Sequence, residues 1–139
     1  MKLSFDLDVR TYELDSYGHV NNAVYLNYFE YTRIKFLDEI GFDFKGLTDE
    51  GYCLYVTKTN ISYKYPAVLN DILTIEVEPV KTRAASGVYH QRAYNQNGIL
   101  CAEAETTWAC VSRETGKPTR LPDKYRLKAL FPENDLEQN

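Results

Sequence analysis

The amino-acid sequence predicts an α+β domain built from five strands, largely antiparallel, and one long helix. Three observations carry that expectation. Only the stretch from about Ala23 to Ile40 keeps apolar residues at helical spacing, with Leu26, Phe29, Phe36, Leu37 and Ile40 on one stripe. The segments around it alternate between apolar and polar residues, and hairpin-length turns separate most of them, which implies antiparallel neighbours. Finally, 139 residues with 44% hydrophobic and 26% charged side chains suffice for a single core without staples.

The elements follow in chain order. Residues 3–12 alternate loosely through Leu3, Phe5, Leu7 and Val9 and read as a first strand. Residues 13–22 are rich in turn formers and make a loop. The helix then starts near Ala23 with Asn21 or Asn22 as its N-cap, and Gly41 stops it. Everything after Gly51 reads as strand. In residues 53–65 the apolar phase runs on even positions through Leu54 and Val56, then on odd ones through Ile61, Tyr63 and Tyr65. That slip predicts a bulge between Thr57 and Asn60. Leu73, Ile75 and Val77 alternate in a third strand, a fourth covers Gly87–Tyr94, and the pair Asn97-Gly98 turns the chain into a fifth at residues 99–111. Pro122 opens a short C-terminal helix reaching about Phe131. The organisation is one domain over residues 1–131 and a polar tail over 132–139.

One helix cannot cover both faces of such a sheet, so the second face is expected to be solvated or covered by another subunit. Sixteen basic residues against 20 acidic ones leave a net charge of −4, which argues against a general nucleic-acid binder. The three cysteines, Cys53, Cys101 and Cys110, form no CxxC pair, and no run of 18 apolar residues or signal-peptide pattern occurs. The expected setting is the cytoplasm. Tyrosine is over-used, 12 against 6 Phe and 1 Trp, which suits interfaces and polar-edged pockets.

The densest polar stretch, Arg10 to Tyr25, sets Glu13, Asp15, His19 and Asn22 just ahead of the helix N-terminus. Unpaired N–H groups and the positive end of the helix dipole there would suit a developing oxyanion, and a nearby carboxylate could attack a carbonyl or activate water. The plainer reading keeps Asp15 and the asparagines as turn and helix caps. His19 lacks the companions a metal site or nucleophilic pair requires, so no metal is expected. Arg33, three residues after Glu30, reads as half of an i,i+3 ion pair, and Tyr25, Tyr28 and Tyr31 as a packing stripe. Lys64, Lys81, Arg83, Arg113 and Lys117 stand at strand ends, where they could meet phosphates, while no phosphate-binding glycine loop is present.

The stretch Asp15-Ser-Tyr-Gly-His-Val-Asn-Asn-Ala-Val-Tyr25, with Glu30 and Arg33 following on the helix, resembles the D-x-x-x-H-V-N-N-x-x-Y and E-x-x-R pattern of hotdog-fold acyl-CoA thioesterases. The similarity is to the 4-hydroxybenzoyl-CoA thioesterase branch and its bacterial long-chain acyl-CoA thioesterase relatives. A second segment, Asn60-Ile-Ser-Tyr-Lys-Tyr-Pro66-Ala-Val-Leu-Asn-Asp71, resembles the branch's N-x-x-Y-x-x-P-A-x-x-x-D pattern, and the likeness runs over about residues 5–122. It implies a sheet wrapped around a central helix, a homodimer formed by sheet extension or a tetramer of such dimers, and hydrolysis of an acyl-CoA to the free acid and CoA. It implies Asp15 as nucleophile or general base and the backbone N–H of Asn22 as the oxyanion donor. The expected substrate contacts are Gly18, His19 and Tyr25, with Lys64, Lys81 and Arg83 from the strand ends. Glu30 is the alternative acid, because other hotdog branches place a catalytic Glu on the helix. No cofactor is implied, CoA being part of the substrate. The rival readings are a hotdog 3-hydroxyacyl-thioester dehydratase and a non-catalytic acyl-CoA-binding hotdog protein.

Overall fold

Strand alternation and helical period resolve, in a computed structural model describing residues 1–132, into five strands and two helices. The strands are β1 (Leu3–Asp8), β2 (Tyr52–Tyr63), β3 (Ile72–Thr82), β4 (Ser86–Tyr94) and β5 (Leu100–Ser112). The helices are α1 (Val24–Glu39) and α2 (Phe44–Asp49). The strands form one sheet in the order β1-β3-β4-β5-β2, each neighbouring pair antiparallel. The expected polar tail, beyond its first residue, lies outside the described residues.

α1 lies on the inner face and buries Tyr25, Tyr28, Phe29, Thr32, Phe36 and Leu37. Beneath it the sheet presents Leu73, Ile75 and Val77 from β3, Ala93 from β4, and Ala102 and Ala104 from β5, all essentially closed to solvent. The alanines matter because small side chains at mid-sheet leave room for the aromatic rings of the helix. Fully burying a ring such as Phe29 or Phe36 contributes about 2–3 kcal/mol each. Gly87 serves the same closeness: it faces Trp108 across β4 and β5, and a Cβ there would sit 2.6 Å from the indole. Pro79 is tolerated inside β3 because β1 pairs with that strand only from Ile72 to Val77, so the missing N–H falls beyond the partner's end.

The outer face carries cross-strand ladders instead of a core. Glu76, Arg92 and Glu103 stand in register across β3, β4 and β5, as do Glu78, His90 and Glu105. His90 therefore belongs to the outer face, with Nε2 3.6 Å from Glu103. Alternation of this kind is what one solvated face requires. Among the described residues no helix is long and apolar enough to cross a membrane.

Several expectations need correction. The first strand ends at Asp8, and Thr11–Glu13 form a 3₁₀ turn. α2 has no counterpart in the sequence reading; its six residues are too few to show a period, and it is held by Asp43, whose side chain accepts the Gly46 N–H at 2.9 Å. The C-terminal helix is instead two 3₁₀ turns, Asp123–Tyr125 and Lys128–Leu130. Leu26 is 48% exposed, its place on the buried stripe taken by Tyr25 and Tyr28. Arg33 forms no ion pair with Glu30 among the described residues: its Nη1 donates to Gln91 Oε1 at 3.0 Å and reaches Thr106 Oγ1 at 3.5 Å. Gln91 in turn donates to Phe29 O and Thr32 Oγ1, so the buried polar groups beneath the helix satisfy one another. The bulge in β2, by contrast, falls where the phase slip begins, between Val56 and Lys58.

Candidate active site

The loop between β1 and α1 is a tight hairpin closed by Asp15. The Asp15 N–H donates to His19 O at 2.7 Å, and the Gly18 N–H donates to Asp15 O at 3.1 Å. Asp15 Oδ1 accepts the N–H groups of Tyr17 at 2.8 Å and His19 at 3.1 Å. Gly18 sits at φ +79°, a left-handed conformation that costs glycine little and other residues more. Asp15 is thus a turn cap, as the plainer reading held. Its Oδ2 takes no part in those turn bonds, and the residue lines a cavity of about 410 Å³.

The second similar segment builds the opposite wall. Val20 donates to Ala67 O at 2.8 Å, and His19 pairs with Val68 in an isolated antiparallel bridge. Asp71 fixes that wall by accepting the Val68 N–H and the Gln96 amide, each at 2.9 Å. The two stretches singled out in the sequence are therefore hydrogen-bonded to each other, with the cavity at their junction.

Asn22 ends the loop where the helix starts. Neither asparagine is the expected N-cap: that position is Ala23, with no side-chain cap, and Asn21 instead closes the turn ahead of it, its side chain accepting the Ala23 N–H at 2.9 Å and its carbonyl the Val24 N–H at 2.9 Å. The Asn21 N–H is itself spent on Glu13 O at 2.9 Å. Of the four successive N–H groups from Asn21 to Val24, that of Asn22 has no partner among the described residues. Asn22 lines the same cavity as Asp15. A free donor at a helix start, beside a carboxylate, is an arrangement that can hold a carbonyl oxygen while its carbon is attacked.

Glu13 does not share this work. It is buried, with Oε2 2.7 Å from Arg10 Nη2, while Oε1 accepts from Arg10 Nε, from the Arg10 N–H and from the Tyr28 hydroxyl. Burial alone would raise its pKa, but the bonds from Arg10 and Tyr28 outweigh it and hold the carboxyl below its ordinary value. Its charge is matched at Arg10, and its function is to anchor α1 and the loop.

Of the other expected site residues, His19, Tyr25 and Lys64 line the cavity, and Gly18 forms its turn. Burial pushes the Tyr25 hydroxyl and the Cys101 thiol, both on the cavity wall, above their ordinary pKa values. Lys81 and Arg83 are not brought there: they follow β3 to its far end, about 30 Å along the strand from Ile72. Arg113 and Lys117 lie beyond β5, where Arg113 N–H bonds Gly51 O. Glu30 faces a separate groove between α1 and β2, with Arg33, Leu37, Val56 and Trp108. Tyr63, Tyr65 and Cys101 line the cavity without having been singled out. The signal for Tyr63 was present, since it is the Tyr of the second segment.

Comparison with known proteins identifies the family and the fold. The sequence profile of the Thioesterase-like superfamily matches residues 9–129. The long-chain acyl-CoA thioesterase FadM of Escherichia coli is 35% identical over 123 residues, 88% of this chain and 92% of that one. The acyl-CoA thioesterase YbgC of Haemophilus influenzae is 32% identical over 130 residues, 91% and 93% of the two chains. The crystal structure of the DHNA-CoA thioesterase of Staphylococcus aureus superposes with a TM-score of 0.84 at 23% identity, covering 99% of this chain and 87% of that one. That last likeness concerns the fold, and it identifies the sheet and central helix as the hotdog arrangement.

Proposed function

The chain belongs to the thioesterase-like superfamily, and from that footing we propose that it hydrolyses acyl-CoA thioesters with Asp15 as the acting carboxylate and the Asn22 N–H as the oxyanion donor. The observation that supports the mechanism is that Asp15 and Asn22 line one cavity, the Asn22 N–H having no partner among the described residues. The thioester carbonyl oxygen accepts the Asn22 N–H, which strengthens as negative charge develops there. Asp15 either takes a proton from the attacking water or attacks the carbonyl carbon itself, forming an acyl anhydride that water then opens. In both cases the C–S bond breaks and CoA leaves with the electron pair. A thiol with an ordinary pKa near 8.5 needs little help from an acid, so one carboxylate and one donor suffice without a triad. CoA arrives within the substrate and no separate cofactor enters.

The proposal extends to a second copy of the chain. β2 is one of the two sheet edges, with one row of its backbone groups unpaired among the described residues, and Tyr55, Val56 and Tyr63 along it are half exposed. An edge of twelve residues is a template for pairing unless it is covered. Extension of the sheet through β2 would cover it, together with the groove beside α1, and would be the route by which Lys81 and Arg83 of another copy could approach a cavity. The three cysteines are free, which favours the reducing cytoplasm as its setting. Thiol release from a panel of short, long and aromatic acyl-CoAs tests the reading. Turnover of at least one member is expected; hydration of an enoyl thioester without any hydrolysis would replace it with a dehydratase.

A further inference from the structure

We infer that Tyr63 is a positioning residue for this hydrolysis, tying the Asn22 carbonyl to the sheet so that the backbone torsions of Asn22, and with them the direction of its N–H toward the substrate carbonyl, stay fixed. The inference rests on the assignment of that N–H as oxyanion donor. The Tyr63 hydroxyl, at the end of edge strand β2, donates to Asn22 O at 2.9 Å. Asn22 is otherwise the least held residue of the helix start. Its side chain makes no hydrogen bond among the described residues, its N–H is unengaged, and its exposure is high. Asn21 on one side is fixed by Glu13 O, and Ala23 on the other by the Asn21 side chain. The Asn22 carbonyl and the Ala23 N–H share one peptide plane, held within the turn by the Asn21 side chain and tied to the sheet by Tyr63; the preceding plane, which carries the Asn22 N–H, is held where Asn21 O accepts the Val24 N–H. With both flanking planes held, the two torsions of Asn22 are set, and the direction of its N–H with them.

Tyr63 is itself well placed to act as a strut. Its ring stands edge-on to Tyr25, centroids 5.7 Å apart at 61°, and Tyr25 is edge-on to Tyr28 at 5.7 Å and 79°. Tyr28 ends the series by donating to the buried Glu13. A rigid path therefore runs from the Arg10–Glu13 pair through three aromatic rings to the Asn22 carbonyl. A donor aimed in advance loses nothing to reorganisation when charge develops, whereas a small error in its placement is costly.

Tyr63→Phe removes the hydroxyl and keeps the ring. Its expected signature is a fall in kcat of about ten-fold with KM within about two-fold, because the lost interaction acts on the transition state. Tyr63→Leu, which also removes the ring, should match the Phe variant in kcat to within about three-fold, even where its melting temperature is lower. The direct readout is the carbonyl stretching band of an isotope-labelled thioester, the fastest acyl-CoA of the hydrolysis panel, bound to Asp15→Asn protein so that it persists. The band should shift to lower frequency on binding, and shift less in the Asp15→Asn, Tyr63→Phe protein. An equal shift in both proteins, or a rise in KM with kcat unchanged, overturns the role of Tyr63 alone. No shift on binding to Asp15→Asn overturns the oxyanion assignment and the inference with it.

Discussion

Replacing Asp15 by Asn separates its turn-capping from the proposed chemistry, because the turn bonds use Oδ1 and leave Oδ2 for the reaction. Oδ1 holds the hairpin by accepting the N–H groups of Tyr17 and His19 at 2.8 and 3.1 Å. An Asn side chain offers an acceptor of the same shape at that point, and Asn ranks with Asp in capping positions. What the turn loses is charge assistance to two partly exposed bonds, about 1 kcal/mol or less in all. For a chain of this size that lowers the melting temperature by no more than about 4 °C. The chemistry loses its base or nucleophile, and kcat should fall by roughly a hundred- to ten-thousand-fold. That is about 3–5 kcal/mol on the activation barrier, several times the cost to folding. Asp15→Ala is the opposite control: it forfeits both turn bonds and should cost about 1–3 kcal/mol of stability as well as the activity. Thiol release and urea unfolding on the same samples give both numbers. Because the amide that replaces the carboxylate does not titrate, the lost activity should not return at any pH. A folded Asp15→Asn protein that keeps turnover within about three-fold of the parent would refute the reasoning, and leave Asp15 as a cap alone.

Glu30→Gln should leave turnover within about three-fold of the parent, since Glu30 lies about two helical turns from Asn22 and faces another groove; a hundred-fold loss would move the acid to the helix. Glu13 has its folded-state pKa lowered below 4.5, so the stability it contributes is fully present above that value and is lost as pH falls through the lower, folded-state value. Urea midpoints should therefore drop less steeply on acidification in Glu13→Gln than in the parent, and parallel profiles would contradict the burial and pairing seen here. Sedimentation should give a multiple of 16.1 kDa at micromolar concentration, and a stable, active species of 16.1 kDa would refute pairing through β2.

The fold was legible where one physical signal acted over enough residues to stand out. β3 alternates cleanly from Leu73 to Val77 because one of its faces is core and the other is water, and its neighbours β4 and β5 were readable on the same ground. The bulge in β2 was legible because a register shift moves every later side chain to the other face, which shows as a change of phase between Val56 and Ile61. Short elements left no such trace: α2 rests on one capping bond from Asp43 and one buried Leu47. Arg33 was misjudged because its sequence neighbour Glu30 was visible and its actual partners, Gln91 and Thr106, lie 58 and 73 residues away. Pairings of that range are made by the sheet, and no local pattern announces them.

The site divides along the same line. Asp15, Gly18, His19 and Asn22 fall within eight residues, so turn chemistry and the coming helix were enough to bring them together on paper. The other wall comes from residues 63–67 and Cys101, joined to the loop by the Val20–Ala67 bond and the His19–Val68 bridge. Nothing in either segment alone says that they meet. The basic residues show the converse error: Lys64, Lys81 and Arg83 look equivalent in a sequence, each a cation at a strand end. Antiparallel order sends the start of β3 to the cavity and its end to the opposite rim, so within one chain only Lys64 can serve there. A cation's value to a phosphate depends on which end of its strand it occupies, and that is a property of topology before it is one of charge.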